Sequence, residues 1–137
     1  MSLFNIFDIS GTALHAQSLR LNTTASNMAN ANTVSSSVDK TYRARHPVFA
    51  PMLNDIEDAQ NGVGVRVLGI VESNAPLQRE FNPNHPLADD EGYVTVPNVN
   101  MAEEMANMIS ASRSYQSNIE LMNSAKQMML RTIALGQ

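Results

Sequence analysis

The strongest structural signal in this 137-residue chain lies in residues 101–137, MAEEMANMISASRSYQSNIELMNSAKQMMLRTIALGQ. Alternating steps of four and three residues select one stripe of side chains along this segment, and eight of its ten members are apolar. The stripe consists of Met101, Met105, Met108, Ser112, Tyr115, Ile119, Met122, Lys126, Met129 and Ile133. A repeat of 3.5 residues is typical of a helix with a coiled-coil seam, so this spacing predicts one long C-terminal helix.

The residues at the two ends of this segment favour the same helix. Asn100 is a good N-cap, and Glu103 three residues later completes a capping-box pattern. Arg131 lies near the end where the helix dipole is negative, and Gly136 suits the end of a helix. The helix is therefore predicted from Asn100 to the end of the chain.

The N-terminal segment has a weaker stripe with the same spacing. Its apolar members are Leu3, Phe7, Leu14, Leu21, Met28 and Ala31, and they are interrupted by Ser10, Gln17 and Thr24. The pattern predicts a helix that ends in residues 30–33, because asparagine readily adopts turn conformations. Asp8 and Arg20 are the two charged residues in the first 33, far fewer than the usual quarter. Such a surface fits close contact with several neighbours.

The middle of the chain differs from both ends. All six prolines lie between positions 47 and 97, and residues 34–99 hold the whole net charge of -4. Residues 34–61 show no period and are predicted to form a long, mobile loop. The turn signal Asn61-Gly62 precedes a predicted strand that runs through Val71, and shorter strands are predicted at Leu77 to Phe81 and Tyr93 to Val96.

These elements predict a mainly α fold with a small β middle. Three parts follow: an N-terminal helix at 1–33, a loop and small β segment at 34–99, and a C-terminal heptad helix at 100–137. The two amphipathic terminal helices can pair with each other into one discontinuous helical domain. Ile109, Leu121 and Leu130 would then lie off the seam, which implies further partners. Lys126 in the seam would restrict its register.

The composition excludes several classes of function. The chain has no cysteine, which rules out disulfides, thiolate zinc sites and a cysteine nucleophile. Its net charge of -4 and its two lysines argue against nucleic acid as a partner. No apolar run reaches the roughly 20 residues that a membrane-spanning helix needs. The N-terminus lacks the features of a cleaved signal peptide.

No set of residues suggests catalysis, a metal or a cofactor. His15, His46 and His85 stand in three different contexts and form no HxxxH pair. The acidic residues 89–91 lack the alternation of a calcium loop, and Gly62-Val63-Gly64 lacks the third glycine of a dinucleotide fingerprint. The sequence therefore predicts no enzyme and no small-molecule substrate. A Met-rich helix face also suits a soluble helical adaptor or export chaperone that binds an amphipathic partner.

Several short motifs resemble those of bacterial flagellar rod and hook proteins. Residues 26–33, SNMANANT, are similar to the N-terminal signature shared by that family. More specific are Gly92-Tyr93-Val94, Pro97-Asn98-Val99-Asn100, Glu104-Met105, Ala111-Ser112-Arg113-Ser114-Tyr115-Gln116, Asn118-Ile119-Glu120 and Asn123-Ser124-Ala125-Lys126, which resemble the flagellar basal-body rod proteins. The likeness includes the Tyr42-Arg43-Ala44-Arg45 segment and is weakest at residues 34–41 and 50–61.

The resemblance implies a structural subunit of the proximal rod, part of the drive shaft for flagellar motility. It implies export through the flagellar type III apparatus without signal cleavage, and polymerisation in the periplasm. Its implied partners are other copies and the rod proteins FlgB, FlgF, FlgG and FliE. In that family the terminal helices form an antiparallel coiled coil. The residues expected to mediate packing and assembly are Leu14, Leu21, Asn27, Met28, Asn30, Met105, Met108, Tyr115, Ile119, Met122, Lys126 and Met129.

Overall fold

The protein, seen in a computed structural model that describes residues 3–52 and 62–135, consists of two long helices joined by short strands. In chain order the elements are α1 (Leu3–Asn30), a 3-10 turn (Val38–Lys40), β1 (Arg45–Pro51), β2 (Val65–Glu72), β3 (Gln78–Phe81), β4 (Tyr93–Val96) and α2 (Met101–Leu135). The strands form two antiparallel sheets of two strands each. The predicted class, two long terminal helices with a small β middle, is confirmed. Neither described helix combines the length and apolar character that crossing a membrane requires.

Helix α1 ends and helix α2 begins where the end residues predicted. The side-chain oxygen of Asn100 accepts hydrogen bonds from the backbone N–H groups of Ala102, at 3.1 Å, and Glu103, at 3.4 Å. At the end of α1 the carbonyl of Asn30 accepts a bond from the N–H of Thr33, which closes a turn after the last helical residue. The predicted stop at Gly136 lies outside the described residues.

The expectation of a long loop over residues 34–61 is wrong for its centre, where β1 pairs with β2. Its sequence did not look like a strand because it contains Pro47 and Pro51. Both are tolerated because the sheet has two strands, so a proline can turn its missing donor towards the unpaired outer edge. A turn was predicted at Asn61-Gly62. Gly62 has a left-handed φ of 85°. Asn61 lies outside the described residues.

The β1–β2 hairpin lies lengthwise along α1 and is held at two points. At one point the hydroxyl of Thr12 accepts a hydrogen bond from the N–H of Val65, at 3.1 Å. At the other, Asn27 bonds to the backbone of Arg45. Thr12 and Asn27 lie about 22 Å apart along the helix axis, which matches the length of about 23 Å of a seven-residue strand.

The contact at Thr12 explains why a glycine, Gly64, stands just before the first residue of β2. A Cβ atom at position 64 would lie 2.8 Å from the hydroxyl and 3.3 Å from the methyl of Thr12. The Thr12 side chain is short and is fixed by its own bond to the carbonyl of Ile9, so it has little room to move. The absence of a side chain at Gly64 therefore lets the hairpin dock on α1.

We expect Gly64→Ala to lower the free energy of unfolding by about 2 kcal/mol, since overpacking forces the hairpin away from α1. The measurement is urea unfolding followed by circular dichroism. The matched control is Gly69→Ala, because a Cβ at that strand position meets nothing within 4 Å. Equal stability of the two variants would show that the Thr12 contact does not constrain the hairpin.

The turn before β4 is organised by one carboxylate. Oδ1 of Asp89 accepts bonds from the N–H groups of Tyr93, at 2.8 Å, and Glu91, at 3.0 Å, while Oδ2 bonds to Arg79. The hydrogen bond from the N–H of Tyr93 lowers the pKa of Asp89 below its ordinary value of 3.8, and the hydrogen bond from the Arg79 guanidinium lowers this pKa by a smaller amount. The guanidinium also lies 4.7 Å from the centre of the Tyr93 ring. The acidic run thus serves as a turn.

The lowered pKa gives this turn a defined dependence on pH. A carboxyl group whose pKa is lower in the folded state stabilises that state above the ordinary value, and the contribution is lost as the pH falls through the lowered pKa. We expect the Tyr93 amide resonance to move in NMR spectra below pH 3.8 in the parent chain. Asp89→Asn should abolish this movement, and Asp90→Asn should not. A titration unchanged by Asp89→Asn would contradict the assignment.

Candidate assembly surfaces

The inner face of α2 follows a strict 3.5-residue repeat. Its members are Met101, Glu104, Met108, Ala111, Tyr115, Asn118, Met122, Ala125 and Met129, and all of them are buried or half-buried. Ala111 and Ala125 are 0% and 1% exposed, and Glu104 is 3% exposed. Large side chains therefore alternate with small or polar ones, and the small ones let the helix approach its neighbours closely.

This seam differs from the predicted one at every second position. Met105, Ile119 and Lys126, which the sequence placed in the seam, point outward, and the first two are 51% and 38% exposed. The inner position in each repeat belongs instead to the preceding residue, such as Glu104 or Ala125. The prediction followed the apolar side chains, whereas these inner positions hold two alanines, Glu104 and Asn118. Met108, Tyr115, Met122 and Met129 lie on the inner face, as half-buried residues.

The stripe that the sequence predicted on α1 lies on the inner face at every position whose side chain the structure describes. These are Phe7, Ser10, Leu14, Gln17, Leu21, Thr24, Met28 and Ala31, each buried or half-buried. Helices α1 and α2 pack against each other, and Arg20 on α1 donates a hydrogen bond of 2.9 Å to the side-chain oxygen of Asn107 on α2.

The packing of α1 contains polar atoms without partners, while α2 exposes large apolar ones. The hydroxyl of Ser10 and the side-chain oxygen of Gln17 are buried and form no hydrogen bond with any residue that the structure describes. Outward on α2 lie Met105, Ile109, Ile119, Leu121, Met128, Leu130, Ile133 and Leu135, each between 38% and 89% exposed. Unsatisfied buried groups destabilise a fold, and exposed apolar rows mark contact surfaces. The outer surface of α2 is therefore a candidate contact surface.

A polar junction fixes the end of α1 to the start of the hairpin. Asn27 is fully buried, and its side-chain oxygen accepts bonds from the N–H of Arg45, at 2.9 Å, and the hydroxyl of Tyr42, at 2.8 Å. Its amide donates to the carbonyl of Arg45, at 2.8 Å. One side chain thus satisfies both backbone groups of a residue. Asn30, by contrast, is half-buried and donates to the Ser26 carbonyl within α1.

A second asparagine completes this junction just before α2. The side-chain oxygen of Asn98 accepts a bond of 2.8 Å from the N–H of Ala44, and its amide donates to the carbonyls of Ser73 and Ala75. Arg43 donates to the same two carbonyls. The motifs around Asn27, Asn98 and Tyr42 were visible in the sequence, but their shared location depends on the tertiary fold.

The described residues contain no cluster of side chains suited to a metal ion. No group of three or more His, Cys, Asp or Glu side chains among them is placed to hold a metal ion. A polar cavity of about 660 Å³ lies beside the junction, where Arg45 and Glu72 form an ion pair of 2.9 Å. This pair fixes the two strand ends to each other.

Comparison with known proteins gives consistent matches. Residues 7–34 match the family described as flagella basal body rod protein, and residues 90–135 match the C-terminal family of flagellar basal body rod FlgEFG proteins. The flagellar basal-body rod protein FlgC of Yersinia enterocolitica is 52% identical, and that of Salmonella typhimurium 51% identical, over the whole of both chains. The FlgC protein of Borreliella burgdorferi is 38% identical over all of this chain and 99% of its own.

We expect Asn27→Ala to lower the free energy of unfolding by about 2 kcal/mol, because it removes a fully buried side chain that bonds to the backbone N–H and carbonyl of Arg45 and to the hydroxyl of Tyr42. Thermal unfolding by circular dichroism provides the measurement. Asn22→Ala, at an exposed position of the same helix, is the control and should change stability little. A loss confined to the control, or equal in both variants, would contradict a structural role for the junction.

Proposed function

The chain belongs to the FlgC family of flagellar basal-body rod proteins, and on that basis we propose that it polymerises through α1 and α2 into the proximal rod. It is a structural subunit of the basal-body rod and is located there. The observation that carries the proposal is the row of large apolar side chains on the outer surface of α2, of which Ile109 and Leu130 are 55% and 57% exposed. Copies of the chain and other rod proteins would cover this row.

We infer that α1 and α2 pair as an antiparallel coiled coil. Two sets of hydrogen bonds support this direction. Arg20 bonds to Asn107, whereas Asn27, seven residues further along α1, lies at the junction with Asn98, just before α2 begins. Later residues of α1 thus lie beside earlier positions of α2. The 3.5-residue repeats of both inner faces are typical of a coiled coil.

The same features suggest that the terminal and middle parts of the chain have different roles in the rod. In this proposal residues 1–33 and 100–137 form one axial domain, and residues 34–99 make the outer contacts of the rod. The polar atoms of Ser10 and Gln17 in the packing of α1 keep the isolated chain weakly stable. Low stability suits a subunit that is exported unfolded through the type III apparatus, reaches the periplasm without signal cleavage, and orders when it docks.

The experiment that tests the proposed function is deletion of the gene in its flagellated host. We expect cells without rods or filaments that do not swim, and restored motility when the gene is supplied on a plasmid. Electron microscopy of basal bodies and swimming in soft agar provide the two measurements. Intact flagella after deletion would contradict the proposed function and would favour an adaptor or chaperone.

Within that strain, Ile119→Asp tests the outer surface of α2. The charge should prevent docking of a neighbour, so we expect the variant to reach the periplasm but to form no rod, with swimming reduced to the level of the deletion. The matched control, Gln127→Asp, places the same charge at an exposed polar position of the same helix and should swim. Normal motility with Ile119→Asp would refute the assignment of this surface to assembly.

A further inference from the structure

The backbone of β2 offers unpaired hydrogen-bonding groups on the side that faces away from β1. Arg45 directs its N–H and carbonyl to Asn27, so Arg45 and its cross-strand partner Glu72 form a non-hydrogen-bonded pair. Because such pairs alternate with hydrogen-bonded ones along an antiparallel ladder, Glu72 and Ile70 both direct their N–H and carbonyl groups outward. Among the described strands β2 pairs with β1 alone, and residues 68–72 are all exposed. This stretch, here called the β2 edge, is open to a further strand.

The outer side of β1 is closed to such pairing. Pro47 lies opposite Ile70, so its nitrogen is on the outer side of β1. Pro51 lies opposite Val65, whose own N–H points outward to α1. A proline has no N–H to offer, and prolines on an edge strand prevent pairing with another chain. The β2 edge is therefore the side of this hairpin that can accept a strand.

The second sheet also has an open edge, on β3. Strand β4 is covered on its outer side at Thr95, whose N–H and carbonyl both bond to Ser35. Thr95 lies opposite Arg79, so this pair is non-hydrogen-bonded, and Arg79 and Phe81 direct their N–H and carbonyl groups away from β4. All four residues of β3 are exposed. Their outward side is here called the β3 edge.

The two edges match each other in spacing and in side chains. On each edge the two residues with outward backbone groups are separated by one residue. When the strands are placed antiparallel with Ile70 opposite Phe81, Glu72 lies opposite Arg79. The first pair joins an aliphatic and an aromatic side chain that are 50% and 62% exposed, and the second joins opposite charges. Cross-strand pairs of both kinds stabilise a sheet.

The β3 strand of the same chain does not occupy the β2 edge, because it pairs with β4 in a separate sheet. The connection between β2 and β3 is also fixed in another direction. The carbonyls of Ser73 and Ala75 accept hydrogen bonds from Asn98 and Arg43. A strand that adds to the β2 edge therefore comes from another molecule.

We propose that the β3 edge of a second copy of the chain adds to the β2 edge, in the register that pairs Ile70 with Phe81. The inference deepens the proposed function and rests on it. The contact joins two sheets of two strands into one sheet of four, and a two-stranded sheet alone is only marginally stable. Arg45 already pairs with Glu72, and Arg79 with Asp89, so the contact also joins two ion pairs into a row of alternating charges.

The contact is head-to-tail, because it uses a different strand of each copy. Each copy keeps one edge open for the next copy, so the contact repeats, as growth of a rod requires. It forms only when copies dock, which agrees with a chain that is weakly stable before assembly.

The test is disulfide cross-linking, since the chain has no cysteine of its own. In the proposed register Val71 lies opposite Glu80, where Cα atoms about 4.5 Å apart are within reach of a disulfide. Val71→Cys and Glu80→Cys are placed in separate copies, which are expressed together in the deletion strain. In the oxidising periplasm we expect a product of twice the mass of the chain, which only a link between two copies can produce.

The matched control replaces Val71→Cys with Leu68→Cys. Leu68 is as exposed as Val71, at 59% against 55%, but lies about 10 Å further along β2. We expect at least tenfold less product. Equal yields from the two combinations, or no product in cells that swim, would overturn the proposal. Intact flagella after gene deletion would refute the proposed function instead.

A lysine on the β2 edge tests the contact without a cross-link, and it decides if the cysteine strains form no rods. Ile70→Lys should shrink the swimming zone in soft agar at least twofold, because a charge on an edge strand opposes pairing. Leu68→Lys is the control and should swim like the parent, since Leu68 lies beyond the end of β3 in the proposed register. Normal swimming with Ile70→Lys would overturn the proposal.

Discussion

The contact between the amide of Asn27 and the backbone of Arg45 sets the relation between the helices and the strands. Its three hydrogen bonds, including the one from Tyr42, hold the end of α1 against the first residue of β1. From that point the hairpin runs back along α1, and Asn98 joins the same region to the start of α2. The chain reverses direction here, and this polar cluster joins the end of α1, the start of β1 and the segment before α2.

The residue types on each face of α2 determine how much apolar surface is buried in the chain and how much stays exposed. The inner face of α2 alternates residues such as Met108 and Ala111, whereas its outer surface exposes residues such as Ile109 and Leu130. Burial of apolar area is the main stabilising contribution in folding and association. A helix that leaves this much apolar area outside directs stabilisation towards contacts between chains, as expected of a member of a rod-protein family.

The sequence predicted the elements well and the contacts less well. Helix ends at Asn30 and Asn100 follow from local capping chemistry, and β4 from its alternation and the preceding Gly92. The seam of α2 was misplaced because hydrophobicity favours Met105 over Glu104, although Glu104 is the residue that the packing buries. β1 was missed because prolines usually exclude a strand, and the free edge that admits them exists only after β2 has paired. The junction joins residues up to 71 positions apart, which no local pattern encodes.

The attachment of the hairpin at Thr12 and Asn27 has a mechanical consequence. A single helix bends and twists easily, but a strand pair fixed to it at two points about 22 Å apart resists both deformations, as a splint does. The two attachments are the hydrogen bonds of the Val65 N–H to Thr12 and of the Arg45 backbone to Asn27. In a rotating shaft the load passes from subunit to subunit, and a stiffened α1 would transmit torsion with little loss to elastic deformation of each chain.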